Sequence, residues 1–259
     1  YISHCGRHGS RCLTEDSRYK TLLDLLEDQN RRCNLTSEGL SLLSDMRSLW
    51  PKVQGRGGEL SEIGRQQHRD IARRLYSRSS SFLRGAKVYA RSSTASRCIA
   101  SMEEFCGALS SLEGSLDIEK NSDEENMAVI AYNSPEIKAF GSDDAPWRKT
   151  EWKQFRERNV RPQRLMRALF INSSLIPDPR TLMEQIYWVA VGMQDIPSDE
   201  DFLRYFTPEE LFSIWRTVNY RMYKINGDCP DNQALALQSA RSLMEDIVSC
   251  ADKALSSDL

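Results

Sequence analysis

The stretch Arg7-His8-Gly9-Ser10-Arg11 places one imidazole between two guanidinium groups, with a glycine beside it. Nearby positive charge disfavours the imidazolium, so we expect a low pKa for His8 and a neutral ring. A neutral imidazole has the free lone pair that a nucleophile needs. Because arginine forks match phosphate oxygens, the same cations would bind a phosphoryl group. The stretch therefore predicts a phosphate site with a histidine nucleophile.

Short apolar segments precede this motif and a second arginine-bearing turn. Tyr1-Ile2 is expected to end a buried strand, and Lys87-Val88-Tyr89-Ala90 to form a strand that ends at Arg91. A helix is predicted from Ala95 to Leu109, where apolar residues recur with a period of 3.6. In α/β folds, ligand sites lie where the carboxyl end of a strand is followed by a polar turn and a helix. We expect the two strand ends to converge on a single phosphate.

Other helices are indicated by apolar periodicity and by their end signals. One is predicted from Ser37 to Trp50, with Pro51 ending it. Another follows Glu59, and Gly64 within it is expected to allow close packing against the sheet. Thr207-Pro208-Glu209-Glu210 has the pattern of a capping box. The remaining predicted helices are 165–171, 181–191 and 231–255. A further helical stripe of apolar residues follows the motif loop: Tyr19, Leu22, Leu23, Leu25 and Leu26.

The motif at residues 7–11 resembles the Arg-His-Gly-x-Arg signature of the histidine acid phosphatases, the second branch of the histidine phosphatase superfamily. Three further segments agree with that family: 57–67, 89–97 and 101–105. The likeness is strongest to bacterial members similar to multiple inositol polyphosphate phosphatase, which include phytases. It is specific only in residues 1–106. Cys12-Leu13 departs from the many acid phosphatases that have an apolar residue and then proline here.

The resemblance implies an α/β fold in which a mostly parallel, phosphoglycerate-mutase-like sheet core is flanked by helices and carries an inserted α-helical cap. We assign residues 1–109 to the first part of the core, 110–225 to the cap and 226–259 to a helix that returns to the core. The sequence changes character near Gly114, and residues 119–150 are polar, acidic and expected to be irregular.

The resemblance also implies a two-step reaction through a phosphohistidine on His8. Arg7, Arg11 and Arg97 would hold the phosphate oxygens, where charge must be stabilised during transfer. Arg91 is the alternative third arginine and a candidate substrate contact, although we expect it to pair or pack at the strand end. No metal or other cofactor is implied, and the carboxylates show no metal-ligand spacing.

Three polar residues outside the motif have two readings each, and His68 has one. Arg18 and Lys20 could meet peripheral phosphates of a polyphosphorylated substrate, and an exposed helix face explains them equally well. His4 could neighbour the site, but we expect it to be packed at a strand end. His68 lies among polar residues and is expected to be solvated.

The alcohol leaving group needs a proton, which the family supplies from an Asp or Glu near a second, late histidine. This sequence has only His4, His8 and His68, and none of them matches that element. In the family the element follows a strand just after the helix predicted to end at Leu255. We therefore expect the sequence to be incomplete at its carboxyl end and short at its amino end, the alternative being a natural relative without the acid.

Composition limits the other functional classes. A net charge of −2 argues against a general nucleic-acid binder, and no apolar run reaches the length of a membrane span. Seven cysteines at irregular spacing include no Cys-x-x-Cys pair, so zinc is not indicated.

The resemblance implies a secreted or periplasmic hydrolase of small phosphomonoesters, acting on inositol polyphosphates such as phytate. A broad-specificity acid phosphatase and a non-catalytic phosphate-binding relative are the alternatives.

Overall fold

Helices dominate the structure, a computed structural model that describes residues 1–130, 133–193, 196–227 and 229–256. The helices in these ranges are α1 (Ser17–Arg31), α2 (Ser37–Val53), α3 (Glu62–Leu83), α4 (Ser96–Leu112), α5 (Glu125–Ile130), α6 (Pro135–Gly141), α7 (Lys153–Asn159), α8 (Gln163–Leu169), α9 (Pro179–Gly192), α10 (Pro208–Asn226) and α11 (Gln233–Ser256). Among them, none combines the length and the apolarity that crossing a bilayer requires.

A small parallel sheet accompanies these helices. Strand β1 (Lys87–Arg91) pairs in parallel with β2 (Asp117–Asn121), and α4 forms the crossover between them. The prediction of β1 is confirmed. The expectation that residues 119–150 are irregular is wrong for β2, and also for α5 and α6. Ile118 is the only apolar residue of β2, so the alternation that marks a half-buried strand is missing from its sequence.

The predicted strand at Tyr1-Ile2 is not formed. Both residues are irregular and their side chains are exposed, Tyr1 by 60% and Ile2 by 39%. A strand needs a neighbouring strand for its backbone groups, and the described residues give this segment no such partner. The residues before the motif loop are therefore irregular and do not form a strand.

Packing divides the described chain into two compact units. The first unit contains residues 1–11, 60–143 and 224–259, and the second contains residues 12–59 and 144–223. Each unit thus draws on segments that are distant in the sequence. The predicted division is into a core (1–109), an inserted cap (110–225) and a helix that returns to the core (226–259). Packing alone does not identify an insertion, so this division stays a prediction.

The second unit has the larger apolar core. Helices α1, α2, α8 and α9 bury side chains that include Tyr19, Leu22, Leu42, Leu165 and Ile186. The predicted end of α2 at Pro51 is wrong, because the helix continues to Val53. A proline in the last turn removes only its own N–H, and Gln54 N still bonds Trp50 O at 3.0 Å.

The capping box that starts α10 is formed as predicted. Thr207 N donates to Glu210 Oε2 at 3.0 Å, and Glu210 N donates to Thr207 Oγ1 at 3.3 Å. Two backbone donors that the helix leaves unpaired are thereby satisfied.

The first unit contains the motif, the sheet and the helices α3 and α4, which pack along each other. Its small apolar cluster is centred on Ala72, Leu83 and Leu109, with Phe105 and Ile118 against it. This packing brings the start of α3 and the start of α4 to the motif loop.

Candidate active site

The start of α3 holds the motif loop by its backbone. Arg11 forms an antiparallel bridge with Leu60. Ser10 O accepts bonds from the backbone N–H and from the hydroxyl of Ser61, each at 2.9 Å. Gln67, six residues after Ser61 in α3, accepts from Ser10 N at 2.9 Å and donates to Ser10 Oγ at 3.0 Å. The backbone and the side chain of Ser10 are therefore both fixed by one helix.

Two glycines let the loop and α3 come this close. A Cβ on Gly9 would lie 2.5 Å from Gly64 O and 2.7 Å from Gly64 Cα, and a Cβ on Gly64 would lie 2.8 Å from Ser10 N, with the Ser10 carbonyl oxygen nearer still. Real Cβ atoms essentially never come within 3.0 Å of other heavy atoms. The expectation that Gly64 allows close packing is confirmed, but its neighbour is the motif loop and not the sheet.

Helix α4 holds the same loop from a second side. Gly9 N donates to Ser101 Oγ at 3.1 Å, and the Ser101 hydroxyl donates to Arg97 O at 2.7 Å. Ser101 is buried and lies one helical turn after Arg97. One hydroxyl therefore connects the residue next to His8 with the backbone that carries Arg97.

The half-buried His8 has a pKa below its ordinary value of 6.5. Burial is the largest cause, and the charges of Arg97, Arg7 and Arg11 lower the pKa further, in that order. The backbone oxygen of Gly9, 2.8 Å from Nδ1, acts in the opposite direction. When Nδ1 donates to that oxygen, Nε2 carries the free lone pair. The low pKa was predicted from charge alone, whereas desolvation contributes more than any single arginine.

The three motif-linked arginines thus act together on one imidazole. Arg7 is exposed, while Arg11 and Arg97 are partly buried. Arg97 lies in the first turn of α4, where free backbone N–H groups favour an anion. Its Nε is buried and has no hydrogen-bond partner among the described residues. A buried donor of this kind is available to an anionic ligand.

The other predicted contacts belong to other elements of the fold. Arg91 is ion-paired with Asp246 of α11. Arg18 and Lys20 are exposed on α1 in the second unit, where Lys20 pairs with Asp24. The described residues include no group of three His, Cys, Asp or Glu side chains arranged to hold a metal ion.

Two further histidines lie close to the loop. His4 stacks on Phe105, with ring centroids 4.9 Å apart, but the residue is exposed and the strand end expected there is not formed. The expectation that His68 is solvated is wrong, because it is only 7% exposed. Burial is the main cause that lowers its pKa; the charge of His4 adds to it, while a bond to the Arg7 backbone opposes it. The polar neighbours of His68 in sequence point to other sides of α3, so they gave no sign of this burial.

Comparison with known proteins gives a consistent result. The family model of the histidine phosphatase superfamily, branch 2, matches residues 6–168, which is more than half of the chain. No curated protein matches the sequence significantly.

Three solved structures share the fold. Bifidobacterium longum multiple inositol polyphosphate phosphatase in complex with inositol hexasulfate has 15% identity and a TM-score of 0.72, over 97% of this chain and 72% of its own. The phosphate complex of that enzyme has 17% identity and a TM-score of 0.63, over 95% and 67%. The D. castellii phytase has 12% identity and a TM-score of 0.61, over 85% and 50%. The family predicted from the motifs is confirmed: this chain belongs to the second branch of the histidine phosphatase superfamily.

Proposed function

We propose that this chain hydrolyses phosphomonoesters through a phosphohistidine formed on His8. One observation carries the proposal: the pKa of His8 is lowered by its burial and by the charges of Arg97, Arg7 and Arg11. A neutral imidazole beside three guanidinium groups combines a nucleophile with a binding site for a tetrahedral anion. Membership of the superfamily supports a phosphatase activity.

The reaction has two steps. Nε2 of His8 attacks phosphorus in line with the ester oxygen, so that an N–P bond forms as the P–O bond breaks, and the departing oxygen takes its proton from water. Water then attacks phosphorus, the N–P bond breaks, and inorganic phosphate leaves His8 neutral again. Arg7, Arg11 and Arg97 offset the charge on the equatorial oxygens in both steps. These guanidinium groups supply the positive charge without a metal, so we expect turnover to survive chelators.

The departing alcohol must take up a proton, and this sequence contains no His-Asp or His-Ala-Glu element. General acid catalysis contributes about 10²–10⁴-fold where it operates. We therefore expect p-nitrophenyl phosphate, whose leaving group is weakly basic, to phosphorylate His8 faster than phytate does.

We propose inositol polyphosphates as the substrate class. The relative from Bifidobacterium longum was crystallised with inositol hexasulfate, whose sulfate groups are tetrahedral anions like phosphates. Arg18, Lys20 and Arg91 are the candidates for peripheral phosphates. In this proposal residues 110–225 form a cap that shapes the cleft of the α/β core, and the protein works in a periplasmic or secreted setting, which cell fractionation would test.

The deciding experiment incubates the chain with ³²P-labelled p-nitrophenyl phosphate or phytate, isolates the protein, and measures how much of the bound label is lost in acid. We expect an acid-labile phosphoenzyme in the wild-type chain and none in His8→Ala, with equal melting temperatures. Label that persists without phosphate release would identify a chain that is phosphorylated but does not turn over. Anion binding without any label would favour the non-catalytic relative, and label in His8→Ala would refute the role of His8.

A further inference from the structure

Two adjacent residues of α3 lie against the motif loop on either side of His8. Gln67 accepts from Ser10 N at 2.9 Å and donates to Ser10 Oγ at 3.0 Å. His68 is buried beside the backbone of Arg7, the residue before His8, and that backbone raises its pKa against the effect of burial. Consecutive residues of a helix point about 100° apart, so this pair spans the two sides of the loop.

His68 is suited to this contact by its surroundings. Its side chain is almost completely buried, and the charged or titratable groups that act on it are His4 and His8 of the loop and Glu104 of α4. Arg65 and Arg69 both bond to Glu104, at 3.0 and 2.7 Å. Burial lowers the pKa of His68, so the ring stays neutral and presents one N–H.

We propose that Gln67 and His68 are positioning residues that fix the nucleophile, Gln67 by its two bonds to Ser10 and His68 by its buried packing beside Arg7. The proposal rests on the proposed role of His8. Helices carry reactive groups with greater precision than loops do, and the segment around His8 has no regular structure of its own. A displacement of about 1 Å in a reacting group costs about 10²-fold in rate.

The test compares variants that remove the hydrogen-bonding groups of these side chains with variants that keep them. Gln67→Met keeps the length and the helix propensity but removes both bonds to Ser10. Gln66→Met is the matched control, because the exposed Gln66 bonds only to Asp70 and Arg69 of the same helix among the described contacts. His68→Leu removes the polar ring beside Arg7, and His68→Gln keeps a polar side chain with an N–H donor there.

Two readouts are measured: the rate of phosphoenzyme formation from p-nitrophenyl phosphate, and the pKa of His8 by NMR of labelled histidine. The chain has three histidines, so the imidazole signals can be assigned from single replacements. We expect Gln67→Met and His68→Leu to lower the phosphorylation rate by about 10- to 100-fold. A loosened loop exposes His8 to water, so its pKa should rise towards 6.5. His68→Gln should recover most of both effects.

The proposal is overturned if Gln67→Met matches Gln66→Met in the phosphorylation rate and in the pKa of His8. If His68→Leu does not fold, the Gln67 comparison decides alone. A wild-type chain that forms no phosphoenzyme would defeat the proposed function. The NMR titration would then still test the positioning role, since a pKa that rises in Gln67→Met and not in Gln66→Met supports it without any turnover.

Discussion

Replacing Gly64 by alanine should damage the site from a distance. The new Cβ would lie 2.8 Å from Ser10 N and 2.8 Å from Leu60 Cδ1, whereas ordinary contacts begin at 3.4 Å. The Ser10 carbonyl oxygen is nearer still, so the loop must move by about 1 Å, a displacement that costs about 10²-fold in rate. Overpacking of this kind costs about 1–3 kcal/mol of stability, partly offset by the helix propensity of alanine, about 0.5–1 kcal/mol over glycine.

The assay combines thermal melting with ³²P trapping on His8. We expect Gly64→Ala to lose about 1–2 kcal/mol of unfolding free energy and about 10²-fold in phosphorylation rate. Gly107→Ala in α4 is the control, because a Cβ there meets nothing within 4 Å. It should gain about 0.5–1 kcal/mol and keep its phosphorylation rate. The steric reasoning fails if Gly64→Ala is as stable and as reactive as Gly107→Ala.

Three other outcomes follow from the structure. Arg97→Gln removes the arginine that lowers the pKa of His8 most, so that pKa should rise. The acidic limb of the pH profile of the phosphorylation rate should move to higher pH with it, and Arg97→Lys should restore both. An unmoved limb would exclude Arg97 from the site. The pKa values of His8 and His68 lie below 6.5 in the folded chain, so the unfolded chain binds more protons just below pH 6.5, and stability should fall as the pH drops through that interval. Urea titrations at several pH values should show this slope, and His68→Gln should flatten it. Thr207→Ala should cost about 1 kcal/mol of unfolding free energy by removing one half of the capping box with Glu210, and no change would mean that the box is solvated in solution.

Local features of the fold could be predicted from the sequence, because their signals lie within a few residues. The capping box at Thr207 and the apolar stripe of α1 are of this kind. Strand β2 was missed because it buries little more than Ile118, and pairing with β1 forms it without any pattern of its own. The prediction of a strand at Tyr1-Ile2 was wrong for the opposite reason. Two apolar residues suggested a strand, but the described structure gives them no partner strand.

The effect of Arg7 and Arg11 on the pKa of His8 could be predicted from the motif itself, whereas Arg97 was assigned from the family resemblance, with Arg91 as the alternative. The residues that hold the loop could not be predicted. Gln67, His68 and Ser101 are ordinary polar residues within helices, and only the docking of α3 and α4 gives them contacts with residues 7–10. The apolar periodicity of a helix says which side is buried, not which loop will lie against its first turns.

The bond from Gly9 N to the Ser101 hydroxyl joins residues 92 positions apart. The segment that carries His8 therefore leaves the ribosome before α4, the helix that supplies both Ser101 and Arg97. Until α4 has folded, α3 can hold Ser10, but the bond to Gly9 and the charge of Arg97 beside His8 are missing. We expect reactivity towards phosphate to appear only once α4 has emerged, and ribosome-bound chains that stop before Ser96 to have none of it.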